Sequence, residues 1–451
     1  MKGSPAGVPF AQALRFWLRL GFSSFGGPAG QIAIMHRDLV ERYRWISERR
    51  FLHALNYCMV LPGPEAQQLA TYIGWLLHGT WGGIAAGALF VLPSLAILIA
   101  LSWIYVSFGA VPAIAAVLYG VKPAVVAIVL AAAWRIGSRT LRNPLLWMIA
   151  AAALLALAVA SAPFPLVILC AGAIGLVGGR IAPRFFTMAG HPAVGLAATA
   201  SVLDDSTPTP AHARFSAARL ALITAVFLAM WVATLGLLAW KFEWEGDYTQ
   251  MARFFTQAAL LTFGGAYAVL PYVLQGAVEQ YGWVTSSQMI DGLALGETTP
   301  GPLIMIVAFV GFVGGWTKQL LGPGAAFAAG AMGAIVATFF TFLPSFLFIL
   351  AGGPLVERTR DDVKLTAPLT AITAAVVGVI VNLAIFFAWH VFWPGSSPSA
   401  QFGGGVDWAS VAIALVAAIA LVTRRAEVIP VIVASGLAGL ALWALGFQGA
   451  V

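Results

Sequence analysis

The sequence predicts an all-α, polytopic integral membrane protein built from two repeats of inverted topology, each carrying paired broken, re-entrant helical hairpins. Three observations predict it. Hydrophobic residues make up 61% of the 451 and charged residues only 9%, against about a quarter charged in a soluble domain. Apolar runs such as 83–105 and 144–161 are rich in Ala, Leu, Ile and Gly, lack strand alternation and are about long enough to cross a hydrocarbon layer as helices. The chain also matches itself. At a shift of 238 positions, Gln12, Arg15 and Phe16 fall on Gln250, Arg253 and Phe254. Phe25-Gly26-Gly27 falls on Phe263-Gly264-Gly265, Glu41, Tyr43 and Trp45 on Glu279, Tyr281 and Trp283, and Pro62-Gly63-Pro64 on Pro300-Gly301-Pro302. Farther on, Leu92-Pro93-Ser94 matches Leu343-Pro344-Ser345 at a shift of 251, so the second half holds a thirteen-residue insertion around 316–327. Apolar composition alone would not keep Arg, Glu, Trp and the Gly/Pro breaks in register.

The elements follow in order. Residues 1–10 carry one Lys and no apolar core, so no cleavable signal peptide is expected. The N-terminal repeat spans 1–182 and opens with four short helical segments near 10–24, 28–45, 47–61 and 64–78. A 15-residue helix covers about 22 Å, short of the ~30 Å hydrocarbon core, so these segments form hairpins whose tips lie inside the membrane. Residues 183–247 are a Pro/Ser/Asp-rich cytoplasmic loop followed by an inverting linker helix near 215–240. The C-terminal repeat spans 248–451.

Loop charge sets the orientation, because cytoplasmic loops collect Lys and Arg. The uncharged turn 107–112 faces Arg358, Arg360 and Lys364 in the second half, while Arg135, Arg139 and Arg142 face the uncharged 394–405. Arg180 and Arg184 face the uncharged tail, and Lys318 alone runs against the scheme. The repeats are therefore expected to be inverted, with the N-terminus cytoplasmic and the C-terminus outside. On this reading the net charge of +7 belongs to cytoplasmic loops, and no nucleic-acid partner is expected. Cys58 and Cys170 fall in apolar segments and are expected to be buried small hydrophobes.

The breaks carry the chemistry. Non-helical backbone at membrane depth is tolerated only where protein covers it or where it lines a wet cavity, and paired broken segments in two inverted halves point to a transporter's central site. Pro28 and Pro64 suit a helix's first turn, and glycine lets a ligand approach the backbone. Bare N–H groups and the dipole at helix starts attract anions. Phe25, Gly26, Gly27, Pro62, Gly63 and Pro64, with Phe263, Gly264, Gly265, Thr298, Thr299, Pro300 and Gly301, are thus expected to form one anion site, unless the Gly and Pro residues serve only as packing kinks. Arg15 and Arg253 are expected to bind the anion with planar guanidinium forks, or else to snorkel to the interface. Glu65 and Glu297 flank the two Pro-Gly-Pro breaks without being repeat mates. Each is a candidate proton carrier, or in the case of Glu65 a helix-start acid. Glu41 and Glu279, with their neighbouring Tyr and Trp, read as interfacial belt residues. No Walker loop, HExxH or Cys/His cluster is present, so no enzyme, cofactor or metal site is expected.

The segments "GFSSFGGPAGQIA", "LNYCMVLPGPEAQQLATYIGWLLHG", "LLTFGGAYAVLPYV" and "ETTPGPLIM" resemble the chromate transporter family, specifically its long-chain branch with two homologous halves. The resemblance runs from about Phe10 to Phe447. It implies an inner-membrane exporter of chromate, driven by the proton gradient and conferring resistance. Sulfate, a near-isosteric dianion, is the alternative substrate, and an anion channel is the alternative class. The partners so implied are chromate or sulfate, protons, the lipid bilayer and a second copy in a homodimer.

Overall fold

The computed structural model describes residues 7–25, 27–160, 162–186, 201–204, 210–263, 265–358, 366–394, 405–423 and 426–447. Among these, sixteen α-helices and no β-strand are present. The first half begins with α1 (Phe10–Ser23), then α2 (Gly27–Met35), which runs on into a π-helical turn (His36–Arg42), and then α3 (Glu48–Val60). It continues with α4 (Glu65–Phe108), α5 (Pro112–Thr140), α6 (Pro144–Ala158) and α7 (Phe164–Ile181). The linker helix is α8 (Ala217–Phe242).

The second half repeats the succession. It has α9 (Asp247–Leu260), α10 (Ala266–Leu274) with a π-helical turn (Gln275–Gln280), α11 (Ser286–Thr298), α12 (Ile306–Thr317) and α13 (Ala326–Arg358). It ends with α14 (Thr366–Phe392), α15 (Trp408–Val422) and α16 (Val428–Ala444). The inserted residues explain the one difference in element order. In the first half, α4 bends at His78 and Gly79, with Gly79 at φ +66°, but stays one element. In the second half the same bend is opened into a loop between α12 and α13.

Among the described residues, six helices are long and apolar enough to cross a membrane: α4, α5, α7, α8, α13 and α14. The protein is a multi-pass membrane protein. The apolar run 144–161 is shorter than expected. Asn143 caps its start, Pro144 occupies the first turn and the helix stops at Ala158 after 15 residues, about 22 Å. The linker α8 buries only Leu235 and Leu238, so most of its apolar surface faces outward.

The halves are intertwined. α5 packs against α15 and α16 of the other half, and α14 reciprocally packs against α6 and α7. Small residues set these distances: a Cβ on Gly120 would stand 2.7 Å from Gly439 N, and one on Gly175 would stand 2.8 Å from Ala371 Cβ. Such close backbone approach is what holds helices together where lipid removes the hydrophobic driving force.

Three expectations need correction. Cys58 is buried but Cys170 is exposed on α7, because its helix turns that face away from the bundle. Trp45 and Trp283 are not belt residues: they are 4% and 1% exposed. Each closes an aromatic cluster with its repeat's Phe and Tyr, Phe16–Trp45 at 5.1 Å and Phe254–Trp283 at 5.6 Å. These clusters fasten the foot of each hairpin to α1 or α9. Lys318 is held by Asp247 Oδ1 at 2.6 Å and Tyr281 O at 3.0 Å, so its charge is compensated locally. The basic-loop residues Arg360, Lys364, Arg424 and Arg425, and most of the loop between the halves, lie outside the described residues.

Candidate functional site

The breaks meet in a reciprocal pair. The Gly63 N–H donates to Thr262 O at 2.7 Å, and the Gly301 N–H donates to Ser24 O at 2.8 Å. Thr262 and Ser24 are themselves repeat mates at the 238-residue shift. Each Pro-Gly-Pro therefore docks not on its own half but on the residue just before the other half's Phe-Gly-Gly. Glycine is required at both docking points. Gly63 has φ +128° and Gly301 φ +108°, a region closed to most side chains. A Cβ on Gly301 would stand 2.6 Å from Ser94 Cβ, and one on Gly63 would stand 2.5 Å from Gln68 Nε2 and closer still to Ser345 Oγ. Ser94 and Ser345 are also repeat mates, each following the proline inside its long helix, α4 or α13. The contacts cross between halves in both cases.

Helix starts gather here with bare ends. α4 begins after Pro64, α10 after Gly265 and the turn leading to α12 after Pro302, and none has a side-chain cap. The outer starts of α3 and α11 are capped, Ser47 accepting from Arg50 N and Thr285 forming a reciprocal capping box with Gln288, whereas those of α1 and α9 are not. In the two hairpins that carry Pro-Gly-Pro, side chains thus satisfy orphan N–H groups at the feet and leave them open at the tips, where the dipole favours negative charge.

Around the crossing, buried polar atoms lack partners: Ser24 Oγ, Gln31 Oε1, Gln67 Oε1, Gln68 Oε1, Ser94 Oγ and Ser345 Oγ. Gln67 Nε2 donates to Thr71 Oγ1 at 3.0 Å, and the other two glutamine amides are used on the backbone of the breaks. Gln31 Nε2 donates to Gly301 O at 2.5 Å and Gln68 Nε2 to Pro62 O at 2.8 Å. Buried polar groups are normally paired, so such a cluster fits a site that a polar ligand or water completes. Serine hydroxyls and helix-start amides supply donors. These donors suit an oxyanion, while the three glutamine Oε1 atoms are acceptors that water would complete.

The remaining sequence-derived residues fall as follows. Phe25, Gly27, Pro62 and Phe263 are half-buried beside the crossing, while Pro64, Gly265 and Pro300 are buried there. Gly26 and Gly264 lie outside the described residues. Thr298 and Thr299 are brought to the α11 end of the break, but their hydroxyls donate to Leu295 O and Gly296 O. Glu65 is the first residue of α4. Glu297 is 6% exposed and accepts from the Tyr267 hydroxyl, within electrostatic reach of the Arg135 guanidinium.

The two arginines are not brought to the crossing. Arg15 is exposed, on the side of α1 opposite the buried stripe Ala13, Phe16, Trp17 and Leu20. Arg253 lies over the Trp244 ring at 4.9 Å and 3.7 Å from Glu245. Each stands nine residues before its docking residue, about 13 Å along the helix.

Sequence reasoning missed the glutamines and serines. The Leu-Pro-Ser repeat had marked Ser94 and Ser345, but only as a register point. It also passed over Lys122 and Asp291, lone charges within apolar helices that the rule applied to the arginines would have found.

Comparison with known proteins assigns this chain to a family. The family profile described as "Chromate transporter" matches residues 11–176 and 249–440. The "Chromate transport protein" of Pseudomonas aeruginosa is 34% identical over 443 residues, 96% of this chain and 93% of that protein. The "Probable chromate transport protein" of Synechococcus elongatus is 30% identical over 83% of both chains. The "Chromate transport protein" of Cupriavidus metallidurans is 29% identical over 84% of this chain and 82% of its own. No solved structure matches. With both halves matched, and with the breaks that meet at the crossing inside the matched segments, the chain belongs to the chromate transporter family.

Proposed function

We propose that this protein is a secondary active transporter that exports chromate across the bacterial inner membrane by alternating access, and so confers chromate resistance. The reciprocal docking of Gly63 on Thr262 and Gly301 on Ser24, ringed by uncapped helix starts and unpartnered hydroxyls, is the observation that carries the reading. Chromate is a tetrahedral dianion, and bare N–H groups and hydroxyls approaching from two halves can meet its oxygens from opposite sides. The two repeats, 1–182 and 248–451, lie in inverted orientation, with the N-terminus cytoplasmic and the C-terminus periplasmic. Rocking one set of hairpins against the other opens the crossing to one side at a time.

An interior-negative membrane itself favours outward movement of a dianion, by about 4.6 kcal/mol per 100 mV. Proton exchange adds to this. Glu65 and Glu297 flank the two breaks and are the carriers we assign. Arg15 and Arg253 are left out of the anion's contacts by their geometry; we assign them to the membrane interface.

The test is accumulation of labelled chromate by everted vesicles with an acid interior. Uptake that collapses when the proton gradient is dissipated is expected; gradient-independent, ohmic flux in wild type and in Glu65→Gln alike would instead establish a channel. Competition by sulfate separates a chromate-selective protein from a general oxyanion carrier.

A further inference from the structure

A second polar feature lies one helix away from the crossing. A cavity of about 590 Å³ opens between α4, α5, α11 and the end of α12. Its wall carries Tyr105, Tyr119, Lys122, Ser287, Gln288 and Asp291. Lys122 Nζ donates to Ser287 Oγ at 2.8 Å and lies 3.7 Å from Asp291 Oδ2. The Tyr105 hydroxyl donates to the same carboxylate oxygen at 2.9 Å. Asp291 is 2% exposed, and its Oδ1 is buried with no partner.

These facts describe an unfinished ion pair. A charge-assisted N–H···O bond is about 2.7–2.9 Å, so Lys122 is not committed to Asp291. A buried carboxylate with one bare oxygen is costly when ionised, and a proton on that oxygen removes the charge. Lys122 is then the one full charge among the described cavity-lining residues, where the other titratable groups are Tyr105, Asp291 and Tyr119, whose hydroxyl donates to Asp407 behind the wall at 2.7 Å. The ammonium is still reachable, its side chain being 29% exposed. The first turn of α11 lies in the same wall and adds its positive dipole end. Along α11, Asp291 stands seven residues before Thr298, about 10 Å from the break.

We propose that this cavity is a second oxyanion-binding site, in which the Lys122 ammonium alternates between the Asp291 carboxylate and the anion. The inference rests on the reading that the chain moves an oxyanion, and it adds a stepping-stone outside the crossing. When the anion takes Lys122, Asp291 binds one proton from cavity water; when the anion leaves, the proton returns to water and the ion pair re-forms. Two sites of moderate strength let an ion enter and still leave. Anion and proton bind the cavity together, so its affinity rises as pH falls.

Trp316 lines the cavity and provides the probe. Chromate absorbs where tryptophan emits, so it quenches nearby indoles, and the difference between wild type and Trp316→Phe in nanodiscs isolates the cavity's share. The expected result is saturable quenching by chromate whose displacement by sulfate, a dianion throughout this range, is tighter at about pH 6 than at about pH 8. Lys122→Gln should weaken it at least about tenfold, Lys122→Arg should retain it, and Asp291→Asn should bind tightly with the pH dependence gone. Quenching that is unchanged in Lys122→Gln, or weakened in Asp291→Asn, overturns the proposal. If Lys122→Gln fails to fold, Lys122→Arg and Asp291→Asn carry the test alone. The titration involves no transport. A Lys122-dependent quench in a protein that moves no chromate in vesicles would therefore overturn the exporter and leave the cavity site standing.

Discussion

The two halves present the same backbone at the crossing and different side chains. In the first half, Gln31 and Gln68 bond the two Pro-Gly-Pro breaks and Gln67 bonds Thr71 on α4, all four of them fully buried. At the same positions the second half has Val269, Met305, Ile306 and Phe309, all equally buried. The acidic groups are divided the other way: Glu297 and its partner Tyr267 replace Met59 and Ala29, and Asp291 replaces His53. What the repeat keeps is the geometry of glycine and proline, because each break must dock on the other half's chain. What it releases is the side-chain chemistry: the first half supplies amides, two of which brace the breaks, and the second supplies carboxyl groups.

The backbone part of this comparison should break hardest. Gly63→Ala and Gly301→Ala each force a methyl into the facing serine at a positive φ, and each should lower vesicle transport by about two orders of magnitude or more. Equal losses are expected, and a tolerated alanine at one glycine would show that only one docking point matters. Next come the side chains. Gln31→Leu and Gln68→Leu remove donors that hold the breaks and should cost roughly ten- to a hundredfold in transport. Met305→Leu and Ile306→Leu, volume-conserving changes at matching apolar positions, should change it by less than about threefold. Glu297→Gln should leave chromate binding within a fewfold of wild type and remove the acceleration by an acid interior, measured as the ratio of vesicle uptake with and without the gradient. The smallest effect belongs to the arginines: Arg15→Ala and Arg253→Ala should lower uptake by less than about threefold, since the exposed Arg15 and the Trp244-bound Arg253 stand away from the crossing.

Much of the scaffold was legible in the sequence because glycine and proline act locally. The breaks after Phe25 and at Pro62–Pro64, and the α3 and α11 hairpins that lead into them, follow from residue types whose backbone limits need no tertiary context. The thirteen-residue insertion was readable for the same reason and emerges as the loop that divides α12 from α13. The partner exchange was not legible. Nothing near Gly63 states that its N–H will find Thr262 rather than Ser24; that choice belongs to the packing of the two halves. For the arginines the sequence leaves two readings open, anion binding or snorkelling to the interface, because it gives the depth of a charge but not its partners. Arg15 has Ala13, Phe16 and Trp17 as its buried neighbours, and the helical period alone turns it outward. Lys122 and Asp291, far apart in the chain, become one ion pair only when α5 and α11 lie side by side.

The crossing as the anion's seat is tested most directly by a density map of the protein solved with chromate bound. The account predicts a tetrahedral feature within hydrogen-bonding distance of Ser94 or Ser345 and of the bare helix starts that follow Pro64 and Gly265. Density seated instead against Arg15 or Arg253, with the crossing filled only by water, would contradict it.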